Sequence, residues 1–188
     1  MTQSHRLNNI GLINRNKKIS FKFNGKKLFG FEGDTLASAL LANNVHLVGR
    51  SFKYHRPRGL FGAGIDEPNA KLQVVINGQS EPNINATEIE LIEGISATSQ
   101  NCWPSVEFDI GAINNFLKSF FPAGFYYKTF MWPNWHLFEP SIRRAAGLAA
   151  APDNQIPDQH FETRYWHGDV LVVGGGSTGL LTALIASR

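Results

Sequence analysis

The sequence runs Asp169-Val170-Leu171-Val172-Val173, then Gly174-Gly175-Gly176-Ser177-Thr178-Gly179, then the apolar stretch Leu180–Ile185. The first run, short and β-branched, suits a buried parallel strand. The last is helix-compatible. Strand, G-x-G-x-x-G and helix together form the context in which this spacing signifies a dinucleotide-binding turn. Gly174 would make the tight turn, Gly176 would let a pyrophosphate approach the backbone, and Gly179 would let the helix pack on the strand. The free N–H groups and positive dipole end of the helix would hold phosphates. The candidate cofactor-binding set is therefore Gly174, Gly175, Gly176, Ser177, Thr178 and Gly179. The competing reading is a glycine-rich turn without a ligand. In this fingerprint an acidic residue about 20 positions further on holds the ribose. Nine residues follow Gly179. The expectation is a piece of a longer enzyme, with an incomplete cofactor site and no useful dinucleotide affinity by itself.

Composition excludes several classes. Of 188 residues, 43% are hydrophobic and 12% aromatic, which excludes disorder over most of the length. No apolar run is long enough to span a bilayer. The first residues lack a signal-peptide core, so a cytoplasmic protein is expected. Cys102 is the single cysteine, too few for an internal disulfide, a four-cysteine zinc site or a cysteine-ligated iron–sulfur cluster.

Charge is uneven. Residues 1–60 carry 11 Lys and Arg against Glu32 and Asp34, whereas residues 61–188 carry 7 basic and 13 acidic residues. A basic N-terminal part suits an acidic partner, a phosphate-bearing ligand or plain solvated surface.

The pattern from residue 19 onward is α+β. Ile19–Phe23 alternates, Asn24-Gly25 follows, and Lys26–Phe31 returns, which is a hairpin signal. Asp34 reads as the N-cap of a helix near 35–43 that Asn43-Asn44 ends. Val45–Val48, Lys71–Ile76 (before the turn Asn77-Gly78) and Glu88–Leu91 read as strands. A twisted sheet packed on one helix, over residues 17–95, is the expectation. Residues 103–138 hold 12 aromatics, broken by Pro104, Pro122 and Pro133. They read as a packing segment, or as a surface that meets a subunit or walls a flavin. Helices are expected at Ala112–Phe121 and Pro140–Ala146, and a surface linker at 149–160.

Gly49–Gly59 interleaves Arg50, Lys53, Arg56 and Arg58 with Phe52, Tyr54 and His55. This suits phosphates and stacked bases, or a loop pairing with its own domain. No RNA-binding motif accompanies it, and no carboxylate partner for His55 is identifiable from sequence. His46 reads as structural, His136 and His160 lack metal-ligand spacing, and Cys102 reads as packed. No catalytic residue is assigned, and no metal.

Six ordered stretches are familiar: Gly33–Asn43, Val48–Gly59, Glu67–Ala70, Ser99–Asn101, Pro122–Pro133 and Ile142–Leu148. With the glycine turn, they resemble the start of the alpha subunit of heterotetrameric sarcosine oxidase, over about residues 18–188. The resemblance implies a ferredoxin-like (β-grasp-type) roll, then an aromatic-rich connection, then the first β-α of a Rossmann-type dinucleotide-binding domain. The implied division is 1–16 flexible, 17–95 ferredoxin-like, 96–167 connecting and 168–188 a truncated nucleotide-binding start. It implies NAD on this subunit, FAD and FMN in the assembled complex, and beta, gamma and delta subunits as partners. It also implies oxidative demethylation of sarcosine, one-carbon transfer to tetrahydrofolate, and hydrogen peroxide formed from oxygen. Related amine dehydrogenases hold a [2Fe–2S] cluster through cysteines in a loop that corresponds to Leu60–Pro68. That loop has none here, so the expectation is a scaffold without an iron–sulfur cluster. Ser177-Thr178 stand where the family usually has Pro-Ala, a departure that leaves small side chains in place. A related amine or opine dehydrogenase subunit, a non-catalytic assembly module and a nucleic-acid-binding module are the rival readings. Neither nucleic acid nor membrane is an expected partner.

Overall fold

The computed structural model describes residues 3–7, 10–120, 132–146 and 162–188. The chain divides into two units, Met1–Asn154 and Gln155–Arg188.

The first unit is mixed α+β. Its strands are β1 (Asn14–Phe23), β2 (Lys26–Glu32), β3 (Gly49–Arg50), β4 (Pro57–Arg58), β5 (Lys71–Ile76), β6 (Gln79–Asn85) and β7 (Ser96–Ser99). Five of them form one sheet in the order β2-β1-β7-β5-β6, and β3 pairs with β4 separately. The β1–β2 hairpin turns at Asn24 and Gly25, with φ of 48° and 77°. Those are the two positive values that a type I′ turn requires. Asn77 and Gly78 repeat the device between β5 and β6, at 51° and 80°.

The central strand is β7, parallel to β1 and antiparallel to β5. Ser96-Ala97-Thr98-Ser99 has no large apolar residue and so carries no strand signal. Small side chains suffice there because neighbours on both sides supply its ladder, and Ala97 is fully buried. The edge strand β6 likewise lacks a sequence signal, since it holds Pro82 and a left-handed Asn83. Proline in a sheet is confined to such an edge.

Three sequence expectations are corrected. Glu88–Leu91 is not a strand: one bridge from Glu90 to Thr35 and hydrogen bonds at Ile89 and Leu91 lay it across the start of the helix. Val45–Val48 is not a strand either, because Val45 N–H closes back on Leu40 O. The helix α1 (Leu36–Ala42) is capped by Thr35, whose side chain accepts from Ser38 N–H, and not by Asp34. Asn43 is the C-cap, and Asn44 follows with φ of 62°, as the Asn pair suggested.

The core lies between α1 and the sheet. Ile19, Phe21 and Phe23 from β1 meet Leu36, Ala39 and Leu40 from α1, Leu72 and Val74 from β5, and Leu91 and Ile95. Alternation along β1 sets this face. Gly30 lets α1 approach, since a Cβ there would stand 2.5 Å from a Leu91 methyl and 3.0 Å from the Ala39 Cβ.

Beyond the sheet, Ile110–Asn115 and Lys118–Phe120 are 3-10 turns in place of the expected α-helix from Ala112 to Phe121. Asn114 and Asn115 are poor helix formers. The helix α2 spans Trp135–Ala146 and contains Pro140, so it starts five residues before the expected point. The aromatics at 121–130, the linker at 149–160 and His160 lie outside the described residues.

In the second unit, α3 (Ser177–Ala186) is a helix, and Asp169–Val173 forms no strand. A strand is defined by a partner, and among the described residues this run has none. No helix among the described residues is long and apolar enough to cross a membrane.

Candidate functional site: a glycine turn and a basic loop

All six residues predicted for the cofactor turn fall together at the N-terminus of α3. Gly174 has φ of 107°, a conformation closed to most side chains. A Cβ on Gly179 would stand 2.1 Å from the carbonyl oxygen of Gly174, so turn and helix touch there. Gly175 and Gly176, by contrast, face open space. Gly176 is the N-cap and no side chain caps the helix. The first N–H groups of a helix have no intrahelical partner. The turn therefore presents donors, a dipole end and room for a group near the backbone. An NAD pyrophosphate fits that donor set.

The basic loop is built differently. His55 Nδ1 lies 2.7 Å from Asp109 Oδ2, and the Asp109 side chain is fully buried. Asp109 Oδ1 accepts from Trp103 N–H and Gly111 N–H. The His55 ring lies so close to Gly111 that a Cβ there would come within 2.3 Å of it. Asp109 is 54 positions from His55, too far for the pair to show in the sequence. The Asp-x-Gly spacing around Asp109, suited to a local turn, was the only signal. Arg50 spends its donors on the carbonyls of Val106, His55 and Glu107. Arg56 bonds Asn115 and lies over the Tyr54 ring, and Arg58 bonds Asn69. The loop is thus clasped onto residues 103–115 by its own domain.

Two further carboxylates, Asp34 and Glu67, are buried. Asp34 accepts both Arg6 guanidinium nitrogens, at 3.0 and 2.7 Å, together with Phe31 N–H and the Ser38 hydroxyl. Burial pushes its carboxyl up, but those hydrogen bonds and the Arg6 charge outweigh burial and hold it below the usual range. Glu67 follows the same pattern with backbone donors alone. The remaining candidates are quieter. His46 bonds Asn44 at 2.8 Å. Burial, with Asp109 nearby, pushes the Cys102 thiol up, which disfavours the reactive thiolate.

Residues 16–102 match the family described as "2Fe-2S iron-sulfur cluster binding domain". That match overturns the expectation of no iron–sulfur cluster: the family that this stretch resembles is described as a cluster-binding one. Cys102 is the one cysteine of the chain, and among the described residues no three His, Cys, Asp or Glu side chains form a metal-holding group. These residues do not fit a four-ligand cluster.

Along 98% of its length the chain is 57% identical to "Sarcosine oxidase subunit alpha" of Rhizobium meliloti (strain 1021). It is 30% identical, over 94% of its length, to proteins of the same description from Corynebacterium sp. strains U-96 and P-1. The resemblance carried by the six motifs therefore holds over nearly the whole sequence. The chain spans 19% of the first relative and 14% of the other two. Among solved structures, "L-proline dehydrogenase from P.horikoshii" is similar over 49% of this chain and 17% of that one, at 32% identity and a TM-score of 0.38.

Proposed function

We propose that the chain forms part of the alpha subunit of a sarcosine oxidase complex, and that Gly174–Gly179 supply the phosphate-binding part of an NAD site. The observation that carries the site is the contrast within the turn. Gly179 is closed against Gly174, while Gly175 and Gly176 are open at an uncapped helix start. NAD bound there would supply hydride-transfer chemistry. The chain's own part is to bind: the N–H groups that open α3 meet the pyrophosphate, and the small side chains of Ser177 and Thr178 leave its approach clear. The identity to sarcosine oxidase alpha subunits supports the activity. That activity is oxidative demethylation of sarcosine to glycine, with one-carbon transfer to tetrahydrofolate and hydrogen peroxide released from oxygen. In this reading FAD and FMN belong to the assembled complex with beta, gamma and delta subunits, and residues 17–95 act as scaffold.

The test places Gly176→Val and Gly179→Val in the complete subunit within its purified complex. NAD affinity is read by equilibrium dialysis, and sarcosine-dependent oxygen uptake is followed in parallel. Each variant is expected to weaken NAD binding about tenfold or more, or about 1.4 kcal/mol. Unchanged NAD binding in both would sink the site, and no sarcosine turnover by the wild-type complex would sink the activity.

A further inference from the structure

The loop between β4 and β5 is organised around one negative charge. Glu67 is 2% exposed, and both of its carboxylate oxygens are fully engaged. Oε2 accepts from Phe61 N–H at 2.6 Å and from Gly62 N–H. Oε1 accepts from Asn69 N–H at 2.7 Å and from Ala70 N–H at 3.3 Å. The four donors come from two stretches on either side of Glu67. Pro68, which has no N–H, separates Glu67 from the second stretch.

The surroundings fix this geometry. Glu67 N–H closes a turn on Gly64 O, and the same carbonyl accepts from the Thr87 hydroxyl at 2.7 Å. Ala70, fully buried, accepts from Ala86 N–H. The donors are therefore held by the domain body as well as by Glu67. Every hydrogen-bond partner of this carboxylate among the described residues is a backbone N–H, and none is a Lys, Arg or His side chain. Successive backbone N–H groups converging on one point form an anion-binding concavity. Four such donors facing one another without an anion would be left unsatisfied and mutually repelling.

We propose that residues 60–70 form a carboxylate-binding cradle for which Glu67 is the tethered ligand, and that a small free carboxylate enters the cradle when the Glu67 side chain is removed. The ligand class follows from the donor arrangement. Two N–H groups face each of two oxygens, which suits a planar, two-oxygen anion better than a spherical one. Formate and acetate are that head group without the tether, and truncation to alanine opens space for them.

The full chain carrying Glu67→Ala tests this, with sodium formate and acetate as probes and sodium chloride at equal ionic strength as control. The readout is amide hydrogen exchange at Phe61, Gly62, Asn69 and Ala70. Exchange there should quicken about tenfold or more in E67A, because protected donors become open. Formate should restore protection saturably, acetate less so, and chloride not at all. Glu67→Gln, which turns a donor toward four donors, should lose the same protection and not regain it in formate. Wild-type protection in E67A, or equal effects of formate and chloride, would overturn the proposal. If E67A does not fold alone, its refolding yield against formate concentration gives the same reading, and a yield that formate leaves unchanged also overturns it.

Discussion

Two apolar β-forming runs in this chain have opposite fates. Ile19, Phe21 and Phe23 of β1 are 7%, 2% and 4% exposed, whereas Val170, Leu171 and Val173 are 63%, 86% and 87% exposed. The sequences favour strand about equally. What differs is the company. The first run has β2 on one side, β7 on the other and α1 across its face. The second has no strand partner among the described residues. Apolar surface stabilises only when it leaves water, at about 25 cal/mol per Å² buried. A strand signal is thus a demand for neighbours, and only the first unit meets it.

The largest expected effect tests the met demand. Phe21→Ala should destabilise the first unit by about 3–5 kcal/mol, since it empties a filled site between helix and sheet. Urea unfolding followed by circular dichroism measures it. A loss under about 1 kcal/mol would mean that the face is not packed as described.

The next effect concerns the buried ion pair. Arg6→Ala leaves Asp34 buried with only Phe31 N–H and Ser38 as partners, and should cost about 3 kcal/mol. The same pair carries a pH signature. The Asp34 and Glu67 carboxyls are both lowered in the folded state. Their contribution is fully present above the unfolded carboxylate values of about 3.9 and 4.3, and is lost as pH falls through the lower folded values. Urea midpoints should therefore drop steeply below about pH 4. The drop should be shallower in Arg6→Ala, and equal slopes in both proteins would contradict the assignment.

The smallest effect belongs to the second unit. Leu171→Ser should change the stability of this chain by less than about 0.5 kcal/mol, because the side chain is already in water. The same substitution in a complete polypeptide that supplies strand neighbours should cost several times more. A large loss in the present chain would show that Leu171 is buried after all.

Much of the hairpin architecture was legible in the residues. Asn24-Gly25 and Asn77-Gly78 announced their turns because few residue pairs accept positive φ twice in succession. Lys71–Ile76 was legible as a strand from its apolar run, and Asn43-Asn44 as a helix end. The glycine turn was legible from its spacing, and two of its positions exclude side chains for a local reason: Gly174 by its positive φ and Gly179 by its approach to the Gly174 carbonyl. The basic loop was legible as a cluster of charge, but its use was not. His55 depends on Asp109, Arg50 on carbonyls near residue 106, and Asp34 on Arg6, all contacts between distant positions. The Glu67 carboxylate was passed over for another reason: its partners are backbone N–H groups, which carry no residue-type signal.

The sequence by itself determined the turns, the apolar face of β1, the helix boundaries near Asn43 and the glycine spacing before α3, because each rests on φ preference or periodicity within a few residues. Only the tertiary structure decided that polar Ser96–Ser99 is the central strand, that Glu88–Leu91 meets a helix start through a single bridge and joins no sheet, and that Thr35 rather than Asp34 caps α1. Those outcomes turn on which groups lie nearby to supply hydrogen bonds and exclude water, and proximity between distant residues is created by folding.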